Sequence, residues 1–218
     1  MLVYQTHKGE NLSFCIDCNV IKTSGLETAL LGLSCNMNQD ISKMSKLANK
    51  MAVGKLGDSG ELKFLESIKL SFILKMPTYL WGEFDTYRIG ITKQSTSIMH
   101  TIHKRPLTRH DFEFINPKIL SIVNENRLNY FKNKSIENLM ILRRSIPACH
   151  FYTRVISTNF KTLKHMYNQR IEHKLPHWSY ILDILTSSYC GNWIKGETLS
   201  ELDMKKLKCQ IKLLTYID

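Results

Sequence analysis

Apolar and polar positions along the chain fall into two periods, and each period names an element. Leu26 to Leu33 is an apolar, helix-compatible patch, and Ser42 to Val53 sets Met44, Leu47, Ala48 and Met51 on one helical face. Gly54, Gly57 and Gly60 then read as a loop. Ser59 ahead of Leu62, Leu65 and Ile68 reads as a capped helix entry. Leu70, Phe72 and Leu74 alternate with Lys69, Ser71, Ile73 and Lys75, the period of a strand with one buried face. Pro77 stands where a helix can begin, because its missing N–H is no loss in the first turn. That helix would run through Tyr79, Leu80, Phe84 and Tyr87.

Beyond Gly90 the periodicity stops. Gly90 to Asn116 is irregular and polar, with Ser95-Thr96-Ser97 and three histidines, and reads as a loop-rich stretch suited to function. Ile119 to Lys132 regains a helical period through Ile119, Ile122, Val123, Leu128 and Phe131. A second helix from Ile136 is stopped by Pro147. Phe151 to Ile156 is β-branched and aromatic, a strand; Asn159 to Arg170 and Trp178 to Leu185 are helices. Helices and strands mix without a βαβ rhythm, and neither G-x-G-x-x-G nor G-x-x-x-x-G-K-[ST] occurs. The expected class is α+β.

Composition narrows this further. A chain of 218 residues that is 43% apolar can bury a full core and is not disordered, and residues 1–218 read as one domain. The most apolar stretch, Ile68 to Trp81, carries Lys69 and Lys75 and falls short of the ~20 residues of a membrane helix. The first ten residues lack a basic patch followed by an apolar run, so a cytoplasmic, soluble protein is expected. The net charge of +11 comes from 22 Lys and 8 Arg, with no basic run longer than two and no nucleic-acid-binding signature. It suits small phosphorylated ligands as well as a polymer. Nucleic acid is not the expected partner. A single C-x-x-C, Cys15 to Cys18, lacks the second pair of a zinc ribbon, so the six cysteines read as reduced thiols. His100, His103 and His110 sit among Lys104, Arg105 and Arg109, which would repel a cation, and no metal site is expected.

One stretch carries tight spacing: Arg143-Arg144-Ser145-Ile146-Pro147, then Ser157-Thr158-Asn159, Leu163, Arg170 and Trp178. It resembles the C-terminal signature of the flavin-dependent thymidylate synthases. In that family an Arg-x-x-Leu-Pro turn is followed after twelve residues by an Asn that opens a helix, closed eleven residues later by an Arg. Pro147 to Asn159 and Asn159 to Arg170 reproduce both intervals. Upstream, Trp81-Gly82-Glu83-Phe84-Asp85-Thr86-Tyr87-Arg88 falls where the family has its Gln-Trp-x-Arg-His-Arg helix, and Ser95-Thr96-Ser97 where it has its motif serine. The resemblance is strongest over 60–189, with 1–25 and 190–218 peripheral to it.

The resemblance implies a central antiparallel sheet among mixed helices, a homotetramer, and one-carbon transfer to C5 of deoxyuridylate or a related pyrimidine nucleotide. Methylene-tetrahydrofolate would be the carbon donor and FAD the cofactor. It assigns Arg170 to the pyrimidine ring as the catalytic cation. Glu83, Arg88, Gln94, Ser95, Thr96, Ser97 and Arg143 fall to the nucleotide, and Thr86, Tyr87, Asn159, Lys161 and His165 to the flavin. Thr86 and Tyr87 stand where the family has Arg and His, Glu83 replaces a Gln, Gln94 an acidic residue, and Ile98 a phosphate-clamping Arg. These departures suit a virus-type relative, of phage for instance, that finishes the transferred carbon with water as a hydroxymethyl group. A non-catalytic nucleotide-sequestering protein on the same fold is the alternative.

Overall fold

The computed structural model describes residues 2–5, 11–14, 16–53 and 60–214. The expected loop glycines Gly54 and Gly57, the Ser59 cap and Cys15 lie outside the described residues. The fold is α+β. Strands β1 (Leu2–Gln5) and β2 (Asn11–Phe14) form a separate antiparallel pair. The central sheet is built from β3 (Asp17–Ser24), β4 (Lys69–Pro77), β5 (Ile91–Ser95) and β6 (Phe151–Asn159), in the order β3-β4-β6-β5, antiparallel throughout.

β4 shows why the sheet sits where it does. Leu70, Phe72, Leu74 and Met76 alternate with Lys69, Ser71, Ile73 and Lys75, and the first set is fully buried. Helices cover that face: α1 (Leu26–Met37), α2 (Met44–Ala52), α7 (Phe160–Arg170), α8 (His177–Thr186), the short α9 (Asn192–Lys195) and α10 (Glu201–Leu214). Residues 190–214, peripheral to the resemblance, nonetheless place Trp193, Ile194, Leu199, Leu207 and Ile211 in the same core. Each such large side chain contributes about 1.5–3 kcal/mol on burial. Gly25 opens α1 at φ 80°, and a Cβ there would stand 2.2 Å from the Ser67 carbonyl oxygen, so only glycine fits the turn.

Four expectations are corrected. Residues Gly60–Glu66 form 3-10 turns, not an α-helix, although Leu62, Leu65 and Ile68 are buried as the pattern required. Pro77 closes β4 in an extended conformation (φ −60°, ψ 150°), and helix α3 spans Thr78–Phe84, ending before Tyr87. The polar stretch after Gly90 contains a strand, β5. It is an edge strand whose inward face carries Ile91 and Lys93, both half-buried, so Ile91-Thr-Lys-Gln-Ser95 shows no hydrophobic alternation to read. Finally, α5 (Pro117–Lys132) does not bury the face its period suggests: Val123 is buried, but Ile119, Ile122, Leu128 and Phe131 are exposed. Helix α5 packs instead against α6 (Ile136–Ser145), His103 and the turns around Leu107 and Phe112, through a small second cluster of Ile102, Leu107, Phe112, Ile115, Val123 and Leu142. No helix among the described residues is long and apolar enough to cross a membrane.

Candidate functional site

Helix α3 organises the site. Its first two backbone N–H groups, on Thr78 and Tyr79, donate to the carbonyls of His150 and Ala148, so the turn after Pro147 docks on its N-terminus. Leu80, Trp81 and Phe84 face the core, which leaves Tyr79 and Glu83, one turn apart, on the polar face. Tyr87 follows just beyond.

Arg170 reaches this face from the last turn of α7, where a cation also complements the helix dipole. Asn159 caps the other end of that helix by accepting from the Thr162 N–H at 2.8 Å. The Arg170 Nη1 lies 3.0 Å from Glu83 Oε2, and its Nε donates to the Tyr87 hydroxyl at 3.0 Å. Its guanidinium lies 4.8 Å from the centre of the Trp178 ring. Trp178 donates through Nε1 to the same Glu83 Oε2 at 2.8 Å, with His173 Nε2 at 3.4 Å. The Tyr87 hydroxyl donates to Gln169 at 3.0 Å. Phe84 stacks parallel to Trp178, fixing the indole from behind. Arg170 and Glu83 retain 17% and 31% side-chain exposure, so the pair is held by the protein yet open to a ligand.

Tyr87 is also a wall of a neighbouring cleft of about 680 Å³. Thr86, Arg88, Asn159, Lys161 and His165 line the same cleft, with Glu66, Ile89, Gly90 and Thr162. The five residues assigned to flavin by resemblance therefore share one cavity, and Arg88, assigned to the nucleotide, is there too. Lys161 is paired with Glu66 at 2.6 Å. Gly90 adopts φ 70°, and a Cβ on it would stand 2.5 Å from Asn159 Nδ2, so the cleft floor requires glycine.

The remaining nucleotide candidates lie along the β5 edge. Ser95 pairs with Arg154, the Thr96 N–H donates to the Thr153 carbonyl, and Ser97 precedes the short helix α4 (Ile98–Thr101). Gln94 pairs with Val155 on the exposed edge. Arg143 reaches α4, with Nη1 3.2 Å from the Met99 sulfur. The structure thus brings Arg170 together with Glu83, and Arg143 to helix α4, which follows Ser97. Among the described residues no bond joins the two groups.

Several side chains here escaped the sequence reading. Asp85 accepts from Lys93 at 2.9 Å and from Arg154 at 2.6 Å, and the Arg154 guanidinium lies 4.1 Å from the Trp81 ring centre. Burial alone would raise the Asp85 carboxyl, but the bonds from Arg154 and Lys93 outweigh it and hold the pKa below the ordinary value. Glu113 receives the Tyr79 hydroxyl at 2.8 Å and lies 2.6 Å from His177 Nε2. Burial and the adjacent Glu113 push the Tyr79 phenol up. Arg154 had one visible signal, a charge inside the otherwise apolar and β-branched Phe151–Ile156 strand. Glu113 and His177 had none, because 64 residues separate them in the chain. The Cys18 thiol is buried and pushed up to about 12, the character of an inert structural cysteine. Among the described residues no cluster of three or more His, Cys, Asp or Glu is arranged to hold a metal.

This four-stranded antiparallel sheet with its helical cover is the architecture of the flavin-dependent thymidylate synthases. Two solved structures of that enzyme, ThyX from Helicobacter pylori crystallised with FAD and dUMP, are similar to the chain. One has a TM-score of 0.63 at 16% identity and covers 79% of this chain and 93% of its own. The other has a TM-score of 0.65 at 15% identity and covers 88% and 100%. No protein-family model and no curated protein sequence matches the chain.

Proposed function

We propose that this chain is an enzyme that binds a pyrimidine deoxynucleotide and transfers one carbon from methylene-tetrahydrofolate to C5 of the base, as a cytoplasmic homotetramer. The observation that carries the proposal is the adjacency of the open Arg170–Glu83 pair to the cleft, with Tyr87 shared between them. The Arg170 guanidinium, still partly exposed, can donate to a pyrimidine ring and stabilise charge that develops there. Arg143 and the hydroxyls and N–H groups of Ser95–Ser97 would take the phosphate. In such a homotetramer a second copy would contribute to each site. The exposed apolar residues of α5 and α6 favour such association.

The cleft offers a cofactor Arg88 and a Lys161 paired with Glu66, the hydroxyls of Thr86 and Thr162, and the rings of Tyr87 and His165. Flavin bound there would supply the hydride that reduces the transferred methylene to a methyl group. Without hydride, addition of water to the methylene gives a hydroxymethyl nucleotide and free tetrahydrofolate, with no change of oxidation state. That is the product of the virus-type variant, and Thr86 and Tyr87 in place of Arg and His favour it. The same replacements support the second reading, a nucleotide binder without catalysis. Visible flavin absorbance in the purified protein supports the reductive branch; turnover of nucleotide with folate but without flavin supports the hydroxymethyl branch. Nucleotide binding with no product in either assay leaves the binder. Arg170→Ala should weaken nucleotide binding by about 10–100-fold, the loss expected for a charged hydrogen bond. Unchanged binding in that variant would overturn the site.

A further inference from the structure

The acceptor and donor pattern of the Glu83–Arg170 pair specifies which pyrimidine it suits. Glu83 Oε2 is saturated, with Trp178 Nε1 at 2.8 Å, Arg170 Nη1 at 3.0 Å and His173 Nε2 at 3.4 Å. Its Oε1 accepts from none of the described residues. On Arg170, Nε is spent on the Tyr87 hydroxyl and Nη1 on Glu83, while Nη2 donates to none of the described residues. The partly exposed pair therefore keeps one carboxylate oxygen, Glu83 Oε1, and one guanidinium nitrogen, Arg170 Nη2, for a ligand.

We infer that this edge selects an amino-pyrimidine, so that the preferred nucleotide carries cytosine rather than uracil. The inference rests on the proposed pyrimidine site and names its substrate class. Cytosine offers a donor and two acceptors in sequence: the 4-amino group, N3 and O2. The 4-amino group meets Glu83 Oε1, and N3 meets the remaining donor of Arg170, Nη2. Uracil offers acceptor, donor, acceptor, and its O4 falls against the carboxylate. A uracil ring that has lost its N3 proton presents acceptors throughout, with a negative charge beside Glu83. A carboxylate cannot turn to donate, whereas an amide can. The same contact that attracts cytosine thus repels uracil, and discrimination needs both.

The test is calorimetric titration of the full chain with deoxycytidine and deoxyuridine monophosphates. The deoxynucleotide of pyrimidin-2-one, which lacks the 4-amino group, serves as a third ligand. The expected result is a cytosine preference of about 10–100-fold, the range a paired side-chain contact gives against the wrong base. The pyrimidin-2-one ligand should lose most of that advantage. In Glu83→Gln the ratio should fall to within about threefold of unity, since the amide can face either base. Equal or tighter binding of deoxyuridylate by the unsubstituted protein overturns the inference while leaving the nucleotide site intact. So does a cytosine preference that survives both Glu83→Gln and removal of the amino group. Failure of all three ligands to bind the unsubstituted protein overturns the pyrimidine site and the inference together. The pyrimidin-2-one comparison uses the native chain, so it decides the matter even if the variant misfolds.

Discussion

The sheet and its helical cover are held by apolar burial, whereas the excursion from α4 to the turn before β6 is held largely by polar clasps. In the first region Phe72, Trp81, Trp178 and Trp193 are essentially buried within one continuous core. In the second, six buried residues form a smaller cluster, with Ile98, Leu120, Tyr130, Ile146 and Cys149 half-buried around it, and hydrogen bonds clasp the segment between them. Asp111 receives Arg105 Nη1 at 2.8 Å and the N–H of Thr108 at 2.8 Å. The Asn124 side chain brackets Leu107 through both its N–H and its carbonyl. Glu113 ties the excursion back to α3 and α8 through Tyr79 and His177. Burial gives stability that resists pH, and clasps give placement that does not.

The largest expected effect tests the first half of that contrast. Phe72→Ala, in the middle of β4, should cost about 3–5 kcal/mol, while Leu142→Ala in the smaller cluster should cost about 2–3. Chemical denaturation of both variants checks the difference, and equal losses would erase the distinction between the regions.

Acid should find the clasps first. Burial opposes ionisation of Asp111, but the Arg105 and Thr108 bonds outweigh it and lower its pKa from 3.8 to about 2. A depressed folded pKa means stability that is complete above about pH 4 and lost as the pH falls toward about 2. With Arg105 largely exposed, solvent screening limits the contribution to about 1 kcal/mol. Hydrogen exchange at pH 3 should therefore show 98–116 opening ahead of β4 and β6. Asp111→Asn should produce that opening already at pH 7.

The smallest effect on the isolated chain belongs to Phe131, which is 65% exposed. Phe131→Ser should change unfolding stability by about 0.5 kcal/mol or less. Sedimentation should nevertheless show weaker self-association, if α5 meets another copy. Loss of stability without loss of association would remove the apolar face from the assembly.

How far the fold was legible follows the same division. Leu70, Phe72 and Leu74 announced β4 because one face of that strand is buried and the other is not. β5 was silent because the half-buried face of this edge strand carries one apolar residue, Ile91, beside Lys93. Ile119, Ile122, Leu128 and Phe131 repeat at a helical period without facing the chain's own core, and period alone cannot say what covers an apolar residue. At the site, spacing was informative where one helix carries it: Asn159 and Arg170 bound α7, and both take the positions their interval implied. Asp85, Arg154, Glu113 and His177 were not legible, because their chemistry arises from pairing across the fold.

The join between β4 and α3 has a mechanical meaning. Pro77 is both the last rung of the ladder and the residue that launches the helix, so no slack separates them. Seven helical residues act as a rigid arm about 10 Å long, pivoted on a proline whose ring locks one of its two hinges. A tilt of a few degrees at the pivot would swing the Glu83 carboxylate by the better part of an ångström, enough to spoil its aim. In the proposed nucleotide site the carboxylate would thus be aimed by the backbone before a ligand arrives.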